Sequence, residues 1–88
     1  MYVAKIATTV GINEKVQAKT MELLKEVKKR NAIIGKDPVG IAAATLYLAC
    51  VLMDEKKTQR ELAEASKVTE VTIRNRYKGL REVLKLKN

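Results

Sequence analysis

The feature that most constrains the fold of this chain is an uncharged, almost wholly apolar run near its middle. Residues 39–53 read VGIAAATLYLACVLM, and a helix of this composition is apolar on every side. Such a helix must be surrounded by other helices, and at this length it is too short to span a bilayer. We therefore predict a buried central helix, with Asp37 as its N-cap and Pro38 at its first position. Gly40 weakens a helix by about 1 kcal/mol relative to alanine, which predicts close packing at that residue.

Helical periodicity predicts two amphipathic helices before this run. Apolar residues recur at helical spacing from Val3 to Val10, and Gly11 ends the pattern. Asn13 is the predicted N-cap of a second, longer helix, whose lysines lie largely outside its apolar stripe. A break in this helix is predicted at residues 34–36.

Two further helices are predicted after the central one. Thr58 and Glu61 form a capping-box pattern that opens a short fourth helix, which should end near residues 65–66. Thr69 is the predicted N-cap of a fifth helix. The core stripe of that fifth helix is predicted to be Ile73, Tyr77, Leu80 and Leu84. No segment alternates in polarity as a strand does, so the predicted fold class is all-α with five helices. Residues 85–88, the last of the chain, are expected to fray.

The charge of the chain favours a polyanionic partner. The 88 residues include 18 basic and 10 acidic side chains, for a formal net charge of +8. Residues 14–36 and 58–88 each carry a net charge of +4, whereas residues 37–57 carry −1. Basic surfaces bind phosphate backbones by releasing counterions, although a merely solvated basic surface is the alternative explanation.

Several classes of function lack the residues that they need. The chain has no histidine, and Cys50 is its only cysteine, so neither an intramolecular disulfide nor a cysteine-based zinc site is expected. No phosphate-binding loop and no carboxylate pair beside a glycine-rich loop is present. We therefore expect no enzyme activity and no cofactor. No secretion signal or membrane span is recognisable, which predicts a cytoplasmic, nucleoid-associated protein.

Residues 59–76, QRELAEASKVTEVTIRNR, have the pattern of a helix-turn-helix. Leu62 and Ala63 occupy the positions where a first helix packs on its partner, and Ile73 points back from the second helix. A tight unit of this kind with a basic second helix is the shape that enters a DNA major groove. Lys67 occupies the turn position that usually belongs to glycine, which predicts either a left-handed lysine, at a cost of about 1 kcal/mol, or a slightly different turn.

The fifth helix should turn one face away from its core stripe. With Ile73 at zero on a helical wheel of about 100° per residue, Val71 falls near 160° and Asn75 near 200°. Arg74 falls near 100°, at the edge of this outer face. The apolar side chain of Val71 can contact a thymine methyl group, and Arg74 can donate hydrogen bonds to guanine O6 and N7. The predicted base readers are therefore Val71, Arg74 and Asn75. The residues predicted to contact the DNA backbone are Thr72, Arg76, Lys78, Arg81 and Arg60.

Two long segments closely resemble the second cyclin-like repeat of archaeal transcription factor B, the counterpart of the eukaryotic general factor IIB. They are GKDPVGIAAATLYLAC (residues 35–50) and KTQRELAEASKVTEVTIRNRYKGL (residues 57–80). The signature pieces are K-x-P-x-G-x-A-A-A-x-L-Y, T-Q-R-E-x-A and V-T-E-V-T-I-R-N-R-Y-K. The resemblance implies that residues 1–88 form a single repeat. It further implies a five-helix cyclin-like fold around a buried third helix, with a helix-turn-helix at about residues 58–84.

The resemblance also implies a promoter-binding function. In the family, this repeat places its helix-turn-helix in the major groove of the element just upstream of the TATA box. The factor grips the TATA-binding protein on bent DNA and recruits RNA polymerase. The matching V-T-I-R motif makes Val71 and Arg74 candidate base readers, with Thr72, Arg76 and Lys78 as candidate backbone contacts. A zinc ribbon, a reader segment and a first repeat are missing from these 88 residues, so we expect an excised C-terminal domain that largely lacks polymerase recruitment.

Two other interpretations remain open. A stand-alone helix-turn-helix regulator would bind a palindrome as a dimer, whereas the repeat should bind one asymmetric site as a monomer. A cyclin-like scaffold that binds only protein would show no salt-dependent binding to DNA.

Overall fold

The central apolar run forms the helix on which the other helices pack. The computed structural model describes residues 2–30 and 37–86, and all that follows concerns these residues. They form five helices: α1 (Tyr2–Val10), α2 (Glu14–Lys29), α3 (Pro38–Leu52), α4 (Gln59–Ser66) and α5 (Glu70–Val83). Helix α3 contacts each of the other four. The predicted all-α class is confirmed, and no strand occurs among the residues described. The break predicted at residues 34–36 lies outside them.

Small side chains allow the neighbouring helices to approach α3 closely. Ala43, Ala44 and Ala49 are completely buried, and Leu46 and Leu48 fill the space between the helices. The buried polar residue in this segment is Thr45, whose hydroxyl donates to Ile41 O at 2.6 Å. Cys50 is also buried, as expected for a small core residue.

The last turn of α3 differs from the prediction. Enclosure on every side was expected through residue 53, but Val51, Leu52 and Met53 are 43%, 42% and 40% exposed. The chain reverses here, since Glu55 N–H donates to Cys50 O at 2.8 Å and Asp54 is left-handed, with φ 57°. The prediction is wrong for this turn because α3 ends at the surface.

Local caps begin the helices where the sequence predicts. Asn13 accepts from Val16 N–H at 3.0 Å and opens α2. The capping box of α4 is complete, since Thr58 Oγ1 accepts from Glu61 N–H at 3.0 Å and Glu61 Oε2 accepts from Thr58 N–H at 3.3 Å. Helix α1 ends before Gly11, whose φ of +83° requires the conformational freedom of glycine.

Gly40 lies directly against the carboxylate of the cap that begins its own helix. A β-carbon at this residue would lie 2.6 Å from Asp37 Cγ, so a side chain there would require the N-cap carboxylate of the same helix to move. Asp37 Oδ1 accepts from Gly40 N–H at 3.1 Å. The nearest atoms to a β-carbon at Gly40 thus belong to the cap of its own helix.

The described chain continues beyond α5 as a turn that ends on the core. Lys85 is left-handed, with φ 56°, and Leu86 N–H donates to Arg81 O at 2.9 Å. The side chain of Leu86 packs against the core, and fraying from residue 85 stays a prediction. Residues 87–88 lie outside the described chain.

Candidate nucleic-acid interface

Helices α4 and α5 meet through a tight turn at residues 67–69. Lys67 ends α4 in a left-handed conformation, with φ 60° and ψ 33°, and its N–H donates to Ala63 O. Thr69 then caps α5 by accepting from Thr72 N–H at 3.1 Å. Leu62 of α4 and Ile73 of α5 are completely buried. The two helices therefore form the predicted helix-turn-helix, and Lys67 adopts the strained alternative of the two turns considered.

The inner face of α5 holds the helix against α3. Ile73 and Leu80 are buried, and Tyr77 packs edge-to-face on Tyr47, with ring centroids 5.0 Å apart and an interplanar angle of 69°. The guanidinium of Arg81 lies over the Tyr77 ring, 5.5 Å from its centroid, and Arg81 Nη1 donates to Tyr77 Oη at 3.1 Å. The predicted core stripe is confirmed. Because this stripe packs on the core, the opposite face of α5 is exposed to solvent.

The outer face of α5 carries the three predicted base readers. Val71 is 55% exposed, which is more than any other large apolar side chain described, and Arg74 and Asn75 are exposed one turn further along. Lys78 is exposed on the same face and forms no ion pair with any described residue. The structure thus gathers an apolar side chain, an amide and two cations on one surface.

The predicted backbone contacts divide into two groups. Lys78 has no ion-pair partner in the described ranges, and Thr72 is half-buried beside the Thr69 cap, whose hydroxyl donates to Thr72 Oγ1 at 3.0 Å. The three arginines are engaged within the chain. Arg76 Nε lies 3.0 Å from Asp37 Oδ2, and Arg81 is stacked on Tyr77. Arg60 belongs to α4 and forms an exposed pair with Glu64, with 3.5 Å between Nε and Oε2.

Two contacts of this surface were missed by sequence reasoning. Asp37 is read there only as an N-cap, yet it also pairs with Arg76, which is 39 residues away. Arg30, at the end of α2, donates from Nη1 to Val83 O at 3.2 Å and so satisfies a carbonyl in the last turn of α5. A single sequence holds no local signal for either contact, because each joins elements that meet only in the folded chain.

A groove of about 340 Å³ lies between the end of α1 and α4. It is lined by Thr9, Val10, Lys57, Glu61, Glu64 and Ala65. Among the residues described, no group of three potential ligands could hold a metal ion. No helix in the described ranges has the length and apolarity needed to cross a membrane.

The arrangement is that of a five-helix cyclin-like repeat with a helix-turn-helix whose outer face is basic. The family model for the transcription factor TFIIB repeat matches residues 1–83, so the chain belongs to this family.

Relatives agree with this assignment. The chain is 54% identical over 86 residues to transcription initiation factor IIB of Pyrococcus furiosus, an alignment that covers 98% of this chain and 29% of that protein. It is 51% identical over 86 residues to transcription initiation factor IIB 1 of Thermococcus kodakarensis, with the same coverage of both chains. It is 47% identical over 83 residues to transcription initiation factor IIB of Methanopyrus kandleri, covering 94% of this chain and 27% of that protein. The chain thus spans less than a third of the length of these relatives, which are named as initiation factors and not as enzymes.

Proposed function

We propose that this chain acts in transcription initiation as a promoter-binding repeat of a TFIIB-type general factor. In this proposal α5 enters the major groove of the element upstream of the TATA box and reads its sequence there. The observation that carries the proposal is the outer face of α5. Val71 is exposed in its first turn, Arg74, Asn75 and Lys78 follow on the same surface, and the first acidic residue after them is Glu82.

The proposed roles follow from the chemistry of each side chain. Val71 contacts a thymine methyl group, because only an apolar group gains from meeting it. Arg74 donates two hydrogen bonds to guanine O6 and N7, and Asn75 is suited to the N6 and N7 of adenine. The contacts to phosphates come from the flanks of the surface. The residues proposed for these contacts are Thr72, Arg76, Lys78, Arg81 and Arg60.

The proposed partners are double-stranded promoter DNA and the TATA-binding protein, with RNA polymerase recruited mainly by parts of the factor outside this chain. The names of the relatives support a place in initiation, since each is a transcription initiation factor IIB. The chain should bind one asymmetric site as a monomer, as one repeat of a longer factor. Binding of two chains to a palindrome would instead favour a stand-alone regulator.

Salt dependence gives a first quantitative test of the proposal. Four cationic side chains are proposed to meet phosphates, and each neutralised phosphate contributes about −0.9 to the slope of log K against log salt concentration. The slope should therefore be roughly −4. A slope near zero would contradict DNA binding and favour a scaffold that binds only protein.

The decisive experiment compares base reading with backbone contact. Fluorescence anisotropy should be measured at fixed salt on duplexes with and without a purine-rich element upstream of a TATA box, in the presence and absence of TATA-binding protein. A panel of single-base variants of that element should then be titrated with Arg74→Ala, Lys78→Ala and Val71→Ala. The matched control is Lys25→Ala, which removes the same charge as Lys78→Ala from an exposed site on α2, outside the helix-turn-helix.

Each variant has a distinct expected outcome. Arg74→Ala should lose about 1–3 kcal/mol on the preferred element and flatten the preference at one base pair. Lys78→Ala should weaken all duplexes about equally and reduce the salt slope by about one unit, unlike Lys25→Ala. Val71→Ala should cost less than Arg74→Ala and act mainly at a thymine, because it removes only apolar contact. If Arg74→Ala weakened every duplex equally while Lys78→Ala changed base preference, the assigned roles would be reversed.

A further inference from the structure

The contact between Asp37 and Arg76 joins the start of the central helix to the flank of α5. Both carboxylate oxygens of Asp37 are used. Oδ1 accepts from Gly40 N–H at 3.1 Å and caps α3, while Oδ2 accepts from Arg76 Nε at 3.0 Å. The side chain of Asp37 is 27% exposed and that of Arg76 is 47% exposed, so the pair lies at the edge of the protein with its aspartate end more buried.

The contact occupies only one part of the Arg76 guanidinium. A guanidinium carries five N–H donors in a planar fork, one on Nε and four on the terminal nitrogens. Asp37 takes the Nε donor, and no hydrogen bond from Nη1 or Nη2 of Arg76 to a described residue is formed. The edge that carries Nη1 and Nη2 therefore remains able to donate two parallel hydrogen bonds to a phosphate.

Arg76 also lies in a suitable place on α5. On the helical wheel it falls near 300° from Ile73, about 40° from Thr72, which precedes it by four residues. Arg76 thus lies between the core stripe and the outer face, about 60° from Ile73 and about 100° from Asn75. A long, half-exposed arginine at this place can extend toward the edge of a groove that the outer face enters, and phosphates line that edge.

We propose that Asp37 is a positioning residue for DNA binding, which holds Arg76 by Nε so that its terminal edge faces a phosphate beside the major groove. This inference rests on the proposed function. A free arginine loses much rotamer freedom when it is immobilised at an interface, and a guanidinium already held in place loses less. Asp37 therefore acts in two ways, as the cap of α3 and as the support of a phosphate contact made by α5.

The opposite effect of Asp37 is also physically reasonable and must be separated from this one. A carboxylate beside Arg76 could compete with phosphate for the same guanidinium, and its negative charge repels DNA in any case. Positioning by Asp37 would strengthen the contact of Arg76 with phosphate, whereas competition would weaken it. Neither effect exists without Arg76, but the repulsion between Asp37 and DNA does. A double-mutant cycle on DNA affinity therefore separates them.

The experiment uses the 88-residue chain with Asp37→Asn, Arg76→Ala and the double variant. Asparagine is as good an N-cap as aspartate, so Asp37→Asn keeps the α3 cap but removes the ion pair. Melting curves should confirm that each variant is folded. The loss of negative charge at residue 37 is common to both Arg76 backgrounds and cancels in the cycle.

We expect Arg76→Ala to reduce DNA affinity more when Asp37 is present than in the Asp37→Asn background. It should weaken duplex binding by about tenfold in the unmodified chain, the loss typical of one charged hydrogen bond. In the Asp37→Asn background the loss should be smaller by about a factor of three, since a loose arginine gives up more freedom on binding. Arg76→Lys should keep the slope of log K against log salt concentration. It should lose the dependence on Asp37, because an ammonium is a point charge that cannot be held on one side and donate two parallel hydrogen bonds from the other. The control cycle is Lys19→Ala with Glu22→Gln, a pair on α2 whose side chains are 34% and 73% exposed and which should show no coupling in DNA affinity.

The other outcomes overturn the inference. If Arg76→Ala reduced DNA affinity equally with Asp37 and with Asp37→Asn, Asp37 would serve only as a cap. A larger loss of affinity in the Asp37→Asn background would mean that Asp37 competes with phosphate for Arg76. If Arg76→Lys kept the whole coupling with Asp37, the argument that Asp37 holds Nε while Nη1 and Nη2 meet phosphate would be refuted. If the unmodified chain showed no salt-dependent binding to any duplex, the proposed function would fail together with this inference. Binding by the unmodified chain with zero coupling would overturn the inference alone.

Discussion

Replacing Lys67 by glycine should stabilise the protein, although it removes a whole side chain. Lys67 lies in the turn between α4 and α5 with φ 60° and ψ 33°, where a β-carbon crowds the following carbonyl oxygen. Glycine has no β-carbon and adopts this conformation without strain. The lysine forms no ion pair among the residues described, so little is lost with its side chain.

The magnitude follows from two opposing effects. Relief of the left-handed strain favours the folded glycine variant by about 1–2 kcal/mol. The greater freedom of glycine in the unfolded chain offsets about 0.5–1 kcal/mol of this. The free energy of unfolding should therefore rise by about 0.5–1 kcal/mol. For a domain of this size, 1 kcal/mol corresponds to about 4–8 °C, so Tm should rise by about 2–8 °C.

The measurement compares Lys67→Gly with Lys67→Ala by thermal and urea unfolding. Both variants remove the charge that complements the C-terminal end of the α4 dipole, so that contribution is common to the two. Alanine keeps the β-carbon and its strain, and it should therefore be no more stable than the unmodified chain. Equal stabilities of the glycine and alanine variants would refute the left-handed turn at Lys67.

Three further predictions concern the core, a helix cap and a buried thiol. Leu46→Ala should cost about 2–5 kcal/mol in urea unfolding, a large part of the roughly 5–15 kcal/mol typical of a domain, because Leu46 is completely buried. An unchanged melting curve would contradict the central position of α3. Thr58→Ala should cost about 0.5–2 kcal/mol by breaking the capping box, whereas Thr9→Ala, at an exposed helical threonine, should cost less. Burial raises the pKa of the Cys50 thiol from 9.0 to about 11, so alkylation at about pH 8 should occur only on unfolding. As pH rises above 9.0 the unfolded chain loses this proton first, so stability should fall until pH about 11, and Cys50→Ala should remove that part of the pH dependence.

Much of the fold could be predicted from the sequence because it depends on near neighbours. The caps at Asn13, Asp37, Thr58 and Thr69 each join a side chain to an N–H three residues later, and all four are present. Helical spacing correctly predicted the buried stripe of α5, because a helix turns by about 100° at every residue wherever it lies in the protein. The exposure of Val71 follows from the same rule. The resemblance to the family was likewise a property of the sequence alone.

The tertiary structure decided which residues meet across the chain and where the core ends. Arg76 was predicted to face DNA, and only the packing of α5 on α3 brings its Nε to Asp37. Arg30, at the end of α2, likewise meets the last turn of α5 only in the folded chain. Leu52 looks as apolar as Leu46 in the sequence, yet it is exposed because the chain reverses at the surface just beyond it. Periodicity specifies which face of a helix is buried, but the distances between faces depend on how the helices are arranged. That arrangement emerges only when all of their side chains are packed together.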